Sequence, residues 1–230
     1  MRVLVVDIGG TNIKVAGSWE PTVHTIPSGP ELTAADLVEK VRTLARGWEI
    51  DAISIGVPAP VRHGRILHEP VNLGHGWVDF DFATAFGVPV RLINDAAMQA
   101  LGSYEGGRML FLGLGTGLDN AVVDEGRVEP LELAHLPYRN GKTYEEYLGK
   151  AGLLRLGRKK WEKHVHTVTD LLRRALICDY VVLGGGHVKK LDALPAHARA
   201  GNNANAITGG VRLWIDGAAG EAGYVRTSLQ

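Results

Sequence analysis

The chain has 230 residues, 45% of them hydrophobic and 22% charged, with a single cysteine. A chain of this length buries about 70% of its extended surface on folding, so it needs no disulfide staples, and Cys178 alone excludes an internal disulfide framework or a cysteine-based zinc site. With 25 basic and 25 acidic residues, no bulk charge advertises nucleic acid or an anionic membrane.

The unusual count is glycine, 30 residues, or about 13% against a typical value of about 7%. The opening apolar run, Val3 to Val6, is closed by Asp7, and no stretch reaches the roughly 20 apolar residues of a membrane span. A soluble, cytoplasmic protein is expected, with no membrane or nucleic-acid partner.

The first predicted elements are a strand Val3 to Asp7, a glycine turn, a strand Ile13 to Gly17 and a third strand near Val23 to Ile26, together an antiparallel ribbon. Thr33 caps a helix with apolar positions Leu37, Val38, Val41, Leu44 and Ala45, ended by Gly47. A buried strand, Ala52 to Val57, is broken by Pro58 and Pro60. A polar loop with Asn72 and Trp77 and a short amphipathic turn through Phe80 to Phe86 follow. Val90 to Ile93 is another buried strand, and Asn94 caps a helix to about Tyr104, stopped by Gly106 and Gly107.

A second ribbon follows: strand Met109 to Leu112, the turn Gly113 to Gly117, strand Asn120 to Val123 and a turn at Glu125-Gly126. Two glycine-threonine turns, each between two strands, imply two halves built on one plan. After Pro137 the pattern turns helical. Trp161, Val165, Val168, Leu172 and Ala175 form one stripe, with Arg158, Lys159, Lys160 and Lys163 opposite. Strand Tyr180 to Leu183 then leads through Gly184-Gly185-Gly186 into a helix from His187 to about Leu194, and a last helix follows Asn202-Asn203 to Trp214. The expected division is a small domain of residues 1–106, a larger one of 107–201, a final helix at 202–215 that packs back on the first, and a loose tail at 216–230.

In Asp7-Ile8-Gly9-Gly10-Thr11-Asn12-Ile13-Lys14, the absence of Cβ atoms lets backbone N–H groups approach an anion. Thr11 adds a hydroxyl, Lys14 a positive charge, and Asp7 is placed to hold Mg²⁺ directly or through water. Gly115, Thr116 and Gly117 can do the same from the other side, clamping a phosphate chain. The triple glycine 184–186 either faces a nucleotide's adenosine or is a tight strand-to-helix turn. Asp95 follows a buried strand at the start of a helix, where a carboxylate can take a proton from an attacking hydroxyl. The helix N-terminus should keep it ionised and weakly basic. Asn72, Glu132 and His135 offer an amide, a carboxylate and an imidazole to vicinal hydroxyls, the last two on one face if their segment is a helical turn. His63, His68 and His75, and His164 and His166, lack metal-ligand spacing.

These motifs, with Gly56-Val-Pro-Ala-Pro60, Asn72-Leu73, Asn94-Asp95-Ala96 and Asn202-Asn203-Ala204, occur in the order found in the ROK sugar kinases, over about residues 2 to 214. The chain resembles that family, and within it the polyphosphate-dependent glucokinase branch, through Lys159-Lys160-Trp161-Glu162-Lys163 and Gly184 to Lys190. The resemblance implies an α/β fold of two RNase H-like (actin-like ATPase) domains around a cleft, with Asp95 as base and Asn94, Glu132 and His135 on the hexose. It also implies the glycine turns on the donor phosphates with Mg²⁺, and a homodimer. No structural zinc is expected, since the cysteine-rich loop that many family members carry is absent.

Three departures stand out. Ala134 replaces the usual glycine before His135 and should crowd the sugar loop; Asp119 puts a negative charge beside the donor phosphates; and residues 195–201 are too few for the family's additional strand. The expected activity is transfer of a phosphoryl group from ATP or polyphosphate to a hexose hydroxyl, glucose to glucose 6-phosphate first. The alternative is a sugar-binding or nucleotide-sensing homologue with little turnover. A run of basic side chains, Arg158, Lys159, Lys160, Lys163, Lys189 and Lys190, offers a track for polyphosphate or is a solvated face.

Overall fold

A computed structural model describes residues 1–202 and 204–214. Asn203 of the last motif and the expected tail, 216–230, lie outside the described residues.

In the first half, β1 (Val3–Ile8), β2 (Asn12–Gly17) and β3 (His24–Pro27) precede α1 (Ala34–Leu44). Then come β4 (Ala52–Val57), a small hairpin of β5 (Val61–Arg62) and β6 (Arg65–Ile66), α2 (Phe82–Phe86), β7 (Val90–Asn94) and α3 (Asp95–Ser103). The ribbon β1-β2-β3 is antiparallel, and β4 and β7 extend it in parallel, in the order β3-β2-β1-β4-β7.

The second half repeats that order. β8 (Arg108–Leu114), β9 (Leu118–Asp124) and β10 (Arg127–Leu131) form an antiparallel ribbon. A two-stranded hairpin of β11 (Pro137–Arg139) and β12 (Lys142–Thr143) follows, then α4 (Tyr144–Leu148), α5 (Lys150–Leu156) and α6 (Arg158–Ala175). β13 (Tyr180–Gly184) and β14 (Ala198–Ala200) add in parallel, giving β10-β9-β8-β13-β14. The chain's last described helix is α7 (Asn205–Arg212).

Both capping expectations hold. Thr33 makes a capping box with Asp36, and the Asn94 side chain accepts from the Ala97 N–H at 3.0 Å. Elsewhere the structure differs. Residues 187–194 hold only a 3-10 turn, Val188–Lys190, and 195–201 do contain the additional strand, as the three residues of β14. The region after Pro137 begins as a hairpin because Asn140 and Gly141 both take positive φ, the pair that a type I′ turn requires. His63-Gly64 and Glu125-Gly126 close their hairpins in the same way.

Strand alternation sorts the core into three clusters. Leu4, Val6 and Ile8 face α1, while Leu110, Leu112 and Leu114 face α4 to α6. Between the sheets, Val3 and Val5 of β1 share one cluster with Met109 and Phe111 of β8, and α3 and α7 fill the space. The two helices nearly touch: a Cβ on Gly209 would run into the Met98 carbonyl oxygen, and one on Gly102 into that of Asn205. Ser54 Oγ donates to Gly210 O at 2.6 Å and accepts from Trp214 Nε1 at 2.8 Å, fixing α7 against β4. Because α3 begins at Asp95, this packing sets where the β7-to-α3 junction stands. Among the described residues, no helix is long and apolar enough to cross a membrane.

Candidate active site

The first glycine turn is held by its own backbone: Gly9 N–H donates to Asn12 O at 2.9 Å, and Ser28 N–H to Thr11 O at 2.9 Å. Gly10 and Thr11 are exposed, so the outer side of the turn is open to a ligand. Asp7, at the end of β1, is largely buried and pairs with Lys14 Nζ at 3.3 Å. Burial raises its pKa more than Lys14 lowers it. Asn72 stands beside this turn, its Cβ 3.7 Å from where a side chain on Gly10 would begin.

The second turn, Gly115 to Gly117, is tied to α5 by the Lys150 N–H, which donates to Thr116 O at 3.1 Å. The triple glycine lies next to it because β13 pairs with β8, and the His187 N–H donates to Leu114 O at 2.9 Å. Thr116 and Gly186 are exposed.

A cavity of about 360 Å³ opens beside these turns, a size suited to a small molecule. Asn94, Glu132 and His135 line it together, as do Asp119, Asn120 and Glu145, with Arg62 and Leu67 from around the small hairpin. Glu132 precedes and His135 ends a 3-10 turn, Leu133–His135, and the two side chains pair at 3.4 Å. The helical-turn expectation for that segment therefore holds. Asn94 Nδ2 makes only a long bond, 3.4 Å, to Ala59 O, which leaves donor capacity for a hydroxyl. Asn72 is not on this wall.

Asp95 departs most from expectation. Its Oδ1 accepts from the Ala96 N–H at 2.9 Å, as a carboxylate at a helix start should. Even so its pKa is raised well above the ordinary carboxylate range, first by burial, then by the charges of Asp119 and Asp7. The helix start is outweighed, and the carboxylate is a stronger base than its position in sequence suggested.

Asp119 was expected to trouble only the donor; its place on β9 opposite Gly113 puts it on the wall of this cavity as well. It is open to water in the cavity yet crowded by protein, and burial followed by Glu145 and Glu132 pushes its pKa up to about 6. Ala134 is buried and belongs both to the core cluster under α4 to α6 and to the lining of the cavity.

Sequence reasoning missed Glu145 and Asn120. Glu145 Oε2 accepts from the Leu118 N–H at 3.2 Å, and a Cβ on Gly117 would collide with it, so it braces the second glycine turn. Asn120 accepts from the Leu133 N–H at 3.0 Å and donates to Leu118 O at 3.1 Å, joining the turn that carries Glu132 to β9. The signal for Glu145 was Thr143-x-x-Glu146, a capping box that starts α4 with Glu145 in its first turn.

For Mg²⁺ the donor set is one largely buried carboxylate, Asp7, whose charge reaches Asp95. Among the described residues, no group of three or more His, Cys, Asp or Glu is arranged to hold a metal ion. That set fits an ion held by one or two carboxylates, waters and the donor's own phosphates, the usual habit of Mg²⁺.

No family model matches the chain. It is 26% identical to a polyphosphate glucokinase of Mycobacterium leprae over 81% of its length, and spans 64% of that relative, slightly under two thirds. The Mycobacterium tuberculosis polyphosphate glucokinase matches at the same identity and is covered over 78% of its length. Among solved structures, an inorganic polyphosphate/ATP-glucomannokinase from Arthrobacter superposes with a TM-score of 0.74 at 22% identity, covering 91% of this chain and 96% of that one. A ROK family glucokinase from Streptomyces griseus, solved with glucose and AMPPNP, superposes with a TM-score of 0.69 at 16% identity, covering 93% and 99%. The chain thus has the fold of the ROK sugar kinases, the actin-like ATPase fold, and resembles their polyphosphate glucokinases in sequence.

Proposed function

We propose that this chain is a sugar kinase that transfers a phosphoryl group from ATP or polyphosphate to a hexose hydroxyl, with glucose to glucose 6-phosphate as the reference reaction. The observation that carries this reading is the β7-to-α3 junction, where Asn94 lines the cavity and the next residue, the half-buried Asp95, feels the charges of Asp7 at the first glycine turn and of Asp119 on the cavity wall. A base there would serve both a donor cradle and an acceptor pocket. The likeness to polyphosphate glucokinases supports the reading.

In this mechanism, Glu132, His135 and the free amide hydrogen of Asn94 orient the hexose through its hydroxyls. The backbone N–H groups of the two glycine turns, with Lys14 and the Thr11 and Thr116 hydroxyls, hold the donor phosphates. Mg²⁺, held through Asp7, would neutralise charge on those phosphates. Asp95 accepts the proton of the attacking hydroxyl as the bond to phosphorus forms. Its raised pKa brings it closer to the operating pH, where a general base works best.

A second reading, a sugar-binding protein with little turnover, draws on the carboxylates crowded around Asp95, which oppose an incoming polyanion. A coupled assay over a sugar panel, with ATP and polyphosphate as donors, separates the two. Turnover is expected, and Asp95→Asn is expected to lower kcat by about 10²- to 10⁴-fold while sugar binding persists. Sugar binding without turnover of any sugar–donor pair would establish the second reading, and near wild-type turnover in Asp95→Asn would remove Asp95 as the base.

A further inference from the structure

Residues 67–78 carry no helix or strand, yet they are firmly tied. The Glu69 carboxylate accepts three backbone N–H groups, from Gly76 at 3.2 Å, Trp77 at 3.1 Å and Val78 at 3.4 Å, and so closes the segment into a loop. The Leu32 carbonyl anchors that loop, accepting from the Gly74 N–H at 2.9 Å and from Trp77 Nε1 at 3.2 Å. Leu73 and Trp77 are buried, and a Cβ on Gly74 would meet the backbone of Glu31 and Leu32 at 3.0 Å. From this fixed base two exposed residues stand out, Val71 and Asn72. Asn72 lies beside Gly10 of the first glycine turn, and among the described residues its amide has no hydrogen-bond partner. Bracing of this kind removes in advance the conformational entropy that a surface loop otherwise loses on gripping a ligand.

We propose that Asn72 contacts the donor, its amide donating to a phosphate oxygen held at the first glycine turn, and that Glu69 is the positioning residue that sets it there. This rests on the kinase reading only in taking that turn as the donor cradle. Asn72 thereby leaves the hexose, where its amide was expected: it is absent from the cavity wall that Asn94, Glu132 and His135 share, and it stands at the turn that carries Asp7 and Lys14. An amide N–H on a charged phosphate oxygen makes a charge-assisted hydrogen bond, roughly twice as strong as a neutral one. Glu69 touches no ligand in this arrangement; it acts by holding the backbone of residues 76–78, and with it the direction in which Asn72 points.

Calorimetric titration of the wild type, Asn72→Ala, Glu69→Gln and the double variant with magnesium tripolyphosphate and with glucose, beside turnover with ATP, tests both assignments. Asn72→Ala, a substitution at an exposed position that should leave the Tm unchanged, is expected to weaken tripolyphosphate binding and raise the KM for ATP by about tenfold, while glucose affinity holds. Glu69→Gln is expected to cause a loss of the same kind and to add little to it in the Asn72→Ala background; a merely structural role would weaken both ligands and add in full. Turnover with an unchanged donor KM in Asn72→Ala, or a loss confined to glucose, would overturn the donor contact and leave the kinase reading standing. Tripolyphosphate that fails to bind the wild type would also overturn it. Tripolyphosphate binding that depends on Asn72, in a protein that turns over no sugar, would uphold it and overturn the kinase reading. Additive effects of the two substitutions would remove Glu69 as the positioning residue.

Discussion

Gly184 on β13 pairs with Gly113 on β8, so two glycine turns leave the second sheet at the same level and lie against each other. Their packing is tight inside, where a Cβ on Gly184 would strike the Phe111 ring, and open outside, where a Cβ on Gly115 or Gly186 would meet nothing within 4 Å. Gly115 and Gly186 also lack the positive φ that would demand glycine. Neither packing nor backbone conformation requires glycine there, which leaves the approach of a ligand as its physical use.

Gly115→Ala and Gly186→Ala should therefore fold normally, with stability within about 0.5 kcal/mol of the wild type. Each methyl stands where donor phosphates must approach the backbone. Losing one hydrogen bond to a charged group is worth about 1.5–3 kcal/mol, so the donor KM should rise roughly tenfold or more while the sugar KM holds. Unchanged donor kinetics in both variants would reduce these turns to ordinary connections.

Asp119→Asn should alter two pH dependences. In the native state Asp119 titrates at about 6, against about 3.9 in an unfolded chain. Between those values the native state binds the extra proton, so this stabilising protonation is complete below about pH 4 and is lost as pH rises through about 6. The variant should be more stable than the wild type at pH 8, by about 1 kcal/mol given solvent screening in the open cavity, and the gap should close below pH 4. Removing this charge also lowers the pKa of Asp95, so the acid limb of kcat/KM should move to lower pH. An acid limb that stays in place would mean that the two carboxylates are not coupled during turnover.

Gly209→Ala should destabilise the whole protein. The new methyl meets the Met98 carbonyl oxygen, part of the helix backbone, which cannot rotate away. Overpacking of this kind costs about 1–3 kcal/mol, and the Tm should fall by several degrees. Because α3 starts at Asp95, kcat should fall as well, even at temperatures where the variant remains folded. A stable, fully active variant would show that the α3–α7 contact does not position the base.

Lys159 and Lys160 lie in the first turn of α6 and are exposed. Arg158, beside them, donates to Lys190 O and pairs with Asp192, which brings the 3-10 turn bearing Lys189 and Lys190 up to that end of the helix. Replacing Lys159 and Lys160 with Ala should raise the KM for polyphosphate far more than that for ATP, with the difference shrinking at high salt. Equal effects on the two donors would make these lysines a solvated face.

Where the signal was local, the sequence was legible. The apolar runs of β1, β4, β8 and β13, and the caps Thr33 and Asn94, act within a few residues of themselves. The hairpin closed by Asn140-Gly141 carried a readable turn signature, but its strands are two and three residues long and show no alternation. β14 is three residues beside β13, held by a neighbour 17 positions away, so nothing local marks it.

By itself the sequence determined the doubled ribbon-and-turn plan, the glycine turns and a carboxylate at the start of α3, because periodicity, capping and turn chemistry are properties of adjacent residues. Only the tertiary structure decided that the pKa of Asp95 is raised and that Asp119 and Glu145 face a cavity of small-molecule size. A pKa is set by desolvation and by charges brought near from distant segments, and here those charges arrive from β1, β9 and α4.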